Sequence, residues 1–437
     1  MTLLLLLAAM LILLAIRLPV AFAMLLPCLV YVYVLPEITL GVAVQRIVAG
    51  VDSFPLLAVP LFIMTGYLTN AAGLADRLLR LLLSLFGRIP GSLAYVNVTS
   101  SVMFSWMSGA AIADAAGLGA VLVPAMRKSG YDTGFSLGLT GASSMIGPLM
   151  PPSIPAIIYA VTAGVSVGGL FFAGVIPALL LAGVLCVHIY FHVRRHPPRG
   201  ESESQSDTTG GPTTPVGNDD PGAALVAALP VLLTPVIILG GILGGVFTPT
   251  EAAAAAVVYM ILLGFCYRTL SIAGLFDVLL RTAATTGVIM LIVAAASLFG
   301  WVIAREQGPQ MVADGLLRLT DNPYLFLVMV NVFLLVVGML LEPTAALLIC
   351  VPVLLPVAIH FQVDPLHLGV VMILNLVIGL ITPPIGLVLY VLGSVTGVSL
   401  PIVMRGMVPF LIPLGVTLLA VTFIPALSLW LPRWLAF

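Results

Sequence analysis

Residues Ile146–Pro152 read IGPLMPP, and Ile378–Pro384 read IGLITPP, each inside a long apolar run. Proline lacks the N–H that a helix interior uses, and its ring meets the preceding turn. Glycine takes backbone angles that other residues avoid. Each motif therefore interrupts the helix around it. Paired prolines alone say little in a chain with 33 prolines, but Ile-Gly-x-x-x-Pro-Pro twice is a far rarer pattern.

The copies lie 232 residues apart, and the same offset pairs Pro124 with Pro356 and Asp132 with Asp364. With a slip of one residue, GVS at Gly164 pairs with GVS at Gly397. Residues 124–166 and 356–399 therefore form a weak internal repeat.

The composition sets the solvent in which this repeat works. Of 437 residues, 61% are hydrophobic and only 8% charged, with mean hydropathy +1.23; soluble domains carry about 25% charged residues. Runs such as Ala223 to Val246 and Thr282 to Ala304 approach the ~20 apolar residues that cross a hydrocarbon core. The expectation is an all-α polytopic membrane protein in a lipid bilayer. A net charge of -1 offers no footprint for nucleic acid. The opening run MTLLLLLAAMLILLAI has no basic residue before it and no small-residue cleavage signature after it, so it reads as a first membrane helix. Cys28, Cys186, Cys266 and Cys350 stand singly in apolar runs, without metal or redox spacing.

Residues 194–222 are rich in Pro, Gly, Ser and Thr and lack apolar periodicity, which predicts a polar cytoplasmic linker between membrane repeats at 1–193 and 223–437. Helices near 2–16, 18–35 and 55–75 carry the chain from outside to the face holding Arg77, Arg80 and Arg88. The segment at about 89–126 must return to that face, because Arg127 and Lys128 follow it. The segment at about 323–361 does the same from the other side. This scheme leaves only Arg46, Arg305, Arg318 and Arg433 outside, as the positive-inside rule requires. The two segments read as re-entrant hairpins, tipped by SWMSGAAIADAAG from Ser105 and MLLEPTAA from Met339. Each precedes a discontinuous helix, at about 131–165 and 365–397. Because one hairpin opens inward and the other outward, the repeats have inverted topology.

Unwound backbone is tolerated at membrane depth only where protein buries it or it lines a cavity. Freed carbonyls there can hold a cation, and the amino ends of half-helices can hold an anion. The first break offers Ser143, Ser144, Gly147, Pro151, Pro152 and Ser153, and the second Asn375, Gly379, Thr382, Pro383, Pro384 and Gly386. The tips add Ser108, Gly109, Glu342, Pro343 and Thr344. Oxygen ligands suit a hard cation, for which Ser143, Ser144, Gly147, Gly379, Thr382 and Gly386 are the candidate residues. Serine in a membrane helix also bonds its own preceding carbonyl, which is the alternative role for these hydroxyls. Asp114 and Glu342 are carboxylates at the tips, where a charge at membrane depth points to function; contact with solute or ion and helix capping are the two readings. Glu251 after Thr250 reads as a cap. The tip and break segments contain no Lys or Arg. An anionic solute needs helix dipoles, hydroxyls, bound sodium, or an arginine from elsewhere in the fold.

These residues resemble the large membrane subunit of the tripartite ATP-independent periplasmic (TRAP) transporters. The likeness covers nearly the whole chain and rests on SGAAIADAAGLGAVLVPAMRKSGYD from Ser108, GASSMIGPLMPPSIPAIIYA from Gly141, FTPTEAAAAAVVY from Phe247 and NLVIGLITPPIGL from Asn375. It implies a sodium-driven secondary transporter of the bacterial inner membrane rather than an enzyme. It also implies a small organic acid delivered by a periplasmic substrate-binding protein, a small four-helix membrane subunit as partner, no cofactor beyond Na+ as coupling ion, and an elevator motion. The family's first tip usually carries more serines after Ser-Gly, where this chain has Ala110 and Ala111; sodium there would depend on backbone carbonyls and Ser108. A stand-alone sodium-coupled carboxylate or ion symporter of related architecture is the alternative. A membrane enzyme would need a nucleophile–base or metal cluster that the mid-membrane segments lack.

Overall fold

The computed structural model describes residues 2–16, 18–35, 39–86, 91–197, 221–317, 320, 322–383 and 386–435. The described residues are helical throughout, with short turns between elements. Eight of the helices are long and apolar enough to cross a membrane. Between the expected second and third helices lies Leu40–Val51, which the sequence reading passed over. At 12 residues it is about 18 Å long, too short to cross.

The two motifs lie in matched surroundings. In the first half, Ser92–Ser108 and Ala111–Lys128 precede Thr133–Ser144 and Ile154–Ala163. In the second, Pro323–Leu340 and Pro343–His360 precede Pro365–Gly379 and Leu387–Thr396. The offset of 232 residues that links the motifs takes Ala111 to Pro343, Lys128 to His360 and Thr133 to Pro365. The repeated aspartates start the broken helices. Asp132 accepts a hydrogen bond from the Phe135 amide and Asp364 from the Leu366 amide, each at 2.9 Å. An aspartate in that position satisfies an amide that the helix leaves unpaired.

Each half-helix is short. Ile154–Ala163 and Leu387–Thr396 have 10 residues each, about 15 Å and so half the hydrocarbon thickness. They are held by crossed packing. Ala111–Lys128 of the first half packs on Leu387–Thr396 of the second, and Pro343–His360 packs on Ile154–Ala163. This exchange builds one unit from both hairpins and both broken helices. Where lipid surrounds the protein, helices gain little from excluding water, and close backbone approach at small residues supplies packing instead. Gly338 and Gly379 meet in this way, with no room for a side chain on Gly379. The 34-residue helix Ile272–Arg305 runs past this unit, packing on Pro343–His360, Ala58–Ala71, Val20–Val34 and Leu40–Val51.

Candidate functional site

The first hairpin turns at Gly109, whose φ of 59° lies in the left-handed region that costs a side-chain-bearing residue about 1–2 kcal/mol. A Cβ there would also collide with the carbonyl oxygen of Pro152. The tip thus touches the first break through backbone. On its other side, Thr65 donates to the Met107 carbonyl at 3.1 Å, and Gly66 lies against Ser108. Ser108 donates its hydroxyl to Oδ1 of Asp114. Asp114 is buried, its Oδ2 has no hydrogen-bond partner, and a Cβ on Gly147 would stand 2.5 Å from that oxygen. The N-cap of this helix is Ala110, so Asp114 is a first-turn carboxylate turned toward the break rather than the cap residue.

The first break runs from Met145 to Ser153, and its Pro151–Pro152 peptide is cis. The Ser153 hydroxyl donates to the Pro148 carbonyl and accepts from the Ala156 amide at 3.2 Å, capping the second half-helix. Ser144 donates to its own Gly141 carbonyl at 2.8 Å. Ser143 is tied to the hairpin: it donates to Oδ1 of Asn97 at 2.9 Å and accepts from Ser101 at 2.9 Å. Asn97 in turn donates to Thr140 at 2.7 Å. All of these side chains are buried, where an unpaired polar group is costly.

The second hairpin has the same connections in other residues. Glu342 is the N-cap of Pro343–His360; one oxygen accepts from the Ala345 amide at 3.2 Å and the other from the Thr344 hydroxyl at 2.8 Å. Asn375, the counterpart of Ser143 by the repeat, donates to Oδ1 of Asn331 at 2.7 Å and to its carbonyl at 3.0 Å. Oδ1 of Asn375 is buried without a donor. Gly379 closes the first half-helix, Thr382 donates to the Ile378 carbonyl at 2.7 Å, and Gly386 at φ 51° opens the second. Pro383 sits in the turn between them, and Pro384 lies outside the described residues.

A cavity of about 1170 Å³ joins the two tips. Of the residues expected from sequence, Ser108, Gly109, Glu342, Pro343 and Thr344 line it. Pro148 and Leu380 bring one residue of each break to its wall. Ser143, Ser144, Gly147, Pro151, Pro152, Asn375, Gly379, Thr382, Pro383 and Gly386 are not among its lining residues. Three helix amino ends open on it: Ala111–Lys128 through Ala110 to Ile112, Pro343–His360 through Pro343 to Ala345, and Ile154–Ala163 through Ile154 and Pro155. Such ends carry partial positive charge and free amides, which favour an anion. The opposite wall brings Tyr67, Asn70, Asp277, Arg281 and Thr285, none of which the motifs indicated. Arg281 is the one basic residue among those that line it.

The oxygens also fit a hard cation. Among the described residues, buried polar side-chain atoms without a partner include Oδ2 of Asp114 and Oδ1 of Asn375, one beside each break. Both are acceptors of the kind Na+ takes. Three or more His, Cys, Asp or Glu in metal-binding proximity do not occur among the described residues. Glu251 completes a capping box with Thr248, as its reading as a cap predicts. A smaller cavity of about 380 Å³ lies apart, at the start of the first broken helix between Asp132, His188, His192 and Arg405.

Residues 7–427 match the family model described as the tripartite ATP-independent periplasmic transporter, DctM component. The chain is 43% identical to the sialic acid TRAP transporter large permease protein SiaM of Vibrio cholerae, over 95% of each chain. It is 37% identical to the 2,3-diketo-L-gulonate TRAP transporter large permease protein YiaN of Escherichia coli, over 96% of each. It is 40% identical to the C4-dicarboxylate TRAP transporter large permease protein DctM of Pseudomonas aeruginosa, over 88% of this chain and 87% of that one. The Alcanivorax borkumensis YdaH transporter, solved by crystallography, shares the fold with a TM-score of 0.58 at 16% identity, over 91% of this chain and 89% of that one.

Proposed function

The chain belongs to the DctM-component family of tripartite ATP-independent periplasmic transporters, and on that footing we propose that it is the large membrane subunit of a sodium-coupled importer of a small organic acid. It is a transport protein of the bacterial inner membrane, not an enzyme. The observation that carries the solute class is the convergence of three helix amino ends, drawn from both halves of the chain, on one cavity. Relatives named for sialic acid, diketogulonate and C4-dicarboxylates all take carboxylates. The unpartnered oxygens of Asp114 and Asn375 support sodium beside the breaks. With ion and acid charged oppositely, each raises the affinity for the other by the same factor.

In this reading the two hairpins and two broken helices move as the transport unit, because their crossed packing ties them together. Ile272–Arg305 with Val20–Val34, Leu40–Val51 and Ala58–Ala71 forms the fixed wall. A periplasmic binding protein hands over the acid, and a small four-helix membrane subunit completes the wall.

The test is uptake by proteoliposomes holding this chain and its small subunit. The solutes are labelled succinate, N-acetylneuraminate and 2,3-diketo-L-gulonate, with and without the binding protein, and with sodium replaced by potassium. Uptake of one acid that needs both sodium and the binding protein is the expected result. Uptake without the binding protein would favour the stand-alone symporter, and uptake undiminished in potassium would sink sodium coupling.

A further inference from the structure

The cavity holds one cation and two carboxylates on its wall, Arg281 against Asp277 and Glu342. Glu342 is committed to its own helix, where both oxygens accept hydrogen bonds. Arg281 instead meets Asp277 one turn earlier on the same helix, Nε to Oδ2 at 2.9 Å. Their side chains are 65% and 57% exposed, so the pair faces the open cavity rather than packed protein. An exposed pair four residues apart on a helix is a weak one. A carboxylate arriving from solution can replace Asp277 at little cost, and it meets a guanidinium whose planar fork suits two carboxylate oxygens.

The first tip lies within reach. Arg281 is one turn, about 6 Å along the axis, from Thr285, whose hydroxyl hydrogen-bonds the Tyr67 hydroxyl at 2.9 Å. Tyr67 follows Gly66, which lies against the Ser108 backbone. Arg281, Thr285, Tyr67 and Ser108 all line the same cavity. A long flexible arginine stem spans such a gap.

We infer that Arg281 is the group that recognises the carboxylate of the transported acid, and that Asp277 is the stand-in anion that holds Arg281 until the acid replaces it. This rests on the proposed function, and it names a residue on the wall opposite the hairpins that sets preference for anions. Two consequences separate it from a helix-stabilising pair. Removing the guanidinium weakens the acid, whereas removing the competing aspartate strengthens it.

The experiment measures KM and kcat for the acid that the parent complex takes up, in R281Q, R281K and D277N complexes, together with the sodium dependence of each. Arg281→Gln is expected to raise KM for the acid about tenfold or more, the size of a lost charge-assisted pair, with the sodium half-saturation little changed. Arg281→Lys keeps charge without the fork and falls between. Asp277→Asn is expected to lower KM. A KM within about twofold of the parent in both arginine variants would overturn the inference while leaving the proposed function intact. So would a rise in KM in D277N equal to that in R281Q, which marks a pair that only holds the helix. A parent complex that takes up no organic acid overturns both.

Discussion

Ser92–Ser108, the first helix of the first hairpin, buries Asn97, Ser100, Ser101 and Ser105. Its counterpart Pro323–Leu340 buries one polar side chain, Asn331. Neither helix of the first hairpin is long and apolar enough to cross a membrane, and both helices of the second are. The first hairpin's helices pack on each other, whereas Pro323–Leu340 packs chiefly on the broken helix Pro365–Gly379. The same outline is therefore held by different forces. Buried hydroxyls and amides need partners, and Asn97 and Ser101 find theirs on Thr140 and Ser143, which ties the first hairpin to the broken helix. The second is held chiefly by apolar surface and close glycine contact, with a single buried amide, Asn331, tying it to Asn375 and Thr422. The tips differ accordingly: Asp114 keeps one oxygen free beside its break, while both oxygens of Glu342 serve the helix it caps. A duplicated scaffold thus carries one carboxylate with a free oxygen beside its break and one that caps its own helix.

The sharpest way to break this comparison is at the turn residues. Gly109 and Leu341 occupy equivalent places, yet Gly109 is left-handed and pressed on the Pro152 carbonyl, while Leu341 is extended at φ -119° and ψ 149°. Gly109→Val faces both a backbone collision and the left-handed cost, so uptake is expected to fall by about 100-fold, equivalent to roughly 2.7 kcal/mol. Leu341→Ala relieves no strain and blocks nothing, and uptake is expected to stay within about threefold. Equal losses, measured as initial rates per amount of reconstituted complex, would show that the two tips work alike.

The carboxylates come next. In Asp114→Asn the oxygen beside Gly147 loses its charge, and the sodium half-saturation of uptake is expected to rise roughly tenfold, about 1.4 kcal/mol of ion affinity. Glu342→Gln keeps an acceptor for the Ala345 amide, so its sodium dependence is expected to move by less than about threefold. If Glu342→Gln moves sodium dependence and Asp114→Asn does not, the assignment of roles is reversed.

What was legible in the sequence was whatever is encoded locally. Gly and paired Pro mark a break wherever they fall, and Asp132 and Asp364 repeat because each starts a half-helix. The orientation of the hydroxyls was not legible. A break resets the rotation of the chain, so no periodicity tells that Ser143 turns to Asn97 while Pro148 reaches the cavity. Arg281 was hidden for a related reason: Asp277 four residues before it is the pattern of any exposed helix face, and only the fold sets that face opposite the tips. Leu40–Val51 went unread because Gln45 and Arg46 interrupt an apolar run too short to span.

The smallest expected effects test the clasps behind the breaks, Ser143 in one half and Asn375 in the other. The Ser143 hydroxyl shares its one proton between Asn97 and the Thr140 carbonyl and accepts from Ser101, so it is held in the clasp. Ser143→Ala should therefore lower thermal stability by about 1 kcal/mol, the range for a buried hydrogen bond between membrane helices, equally in sodium and in potassium. Asn375 spends its amide nitrogen on Asn331 and keeps its oxygen free. Asn375→Ser should then cost about as much in potassium and more in sodium, because in sodium the variant lacks an ion ligand as well as a clasp. A melting difference between the two cations that is unchanged in Asn375→Ser would leave that oxygen a structural orphan, and Asn375 would serve the second break only as a clasp to Asn331.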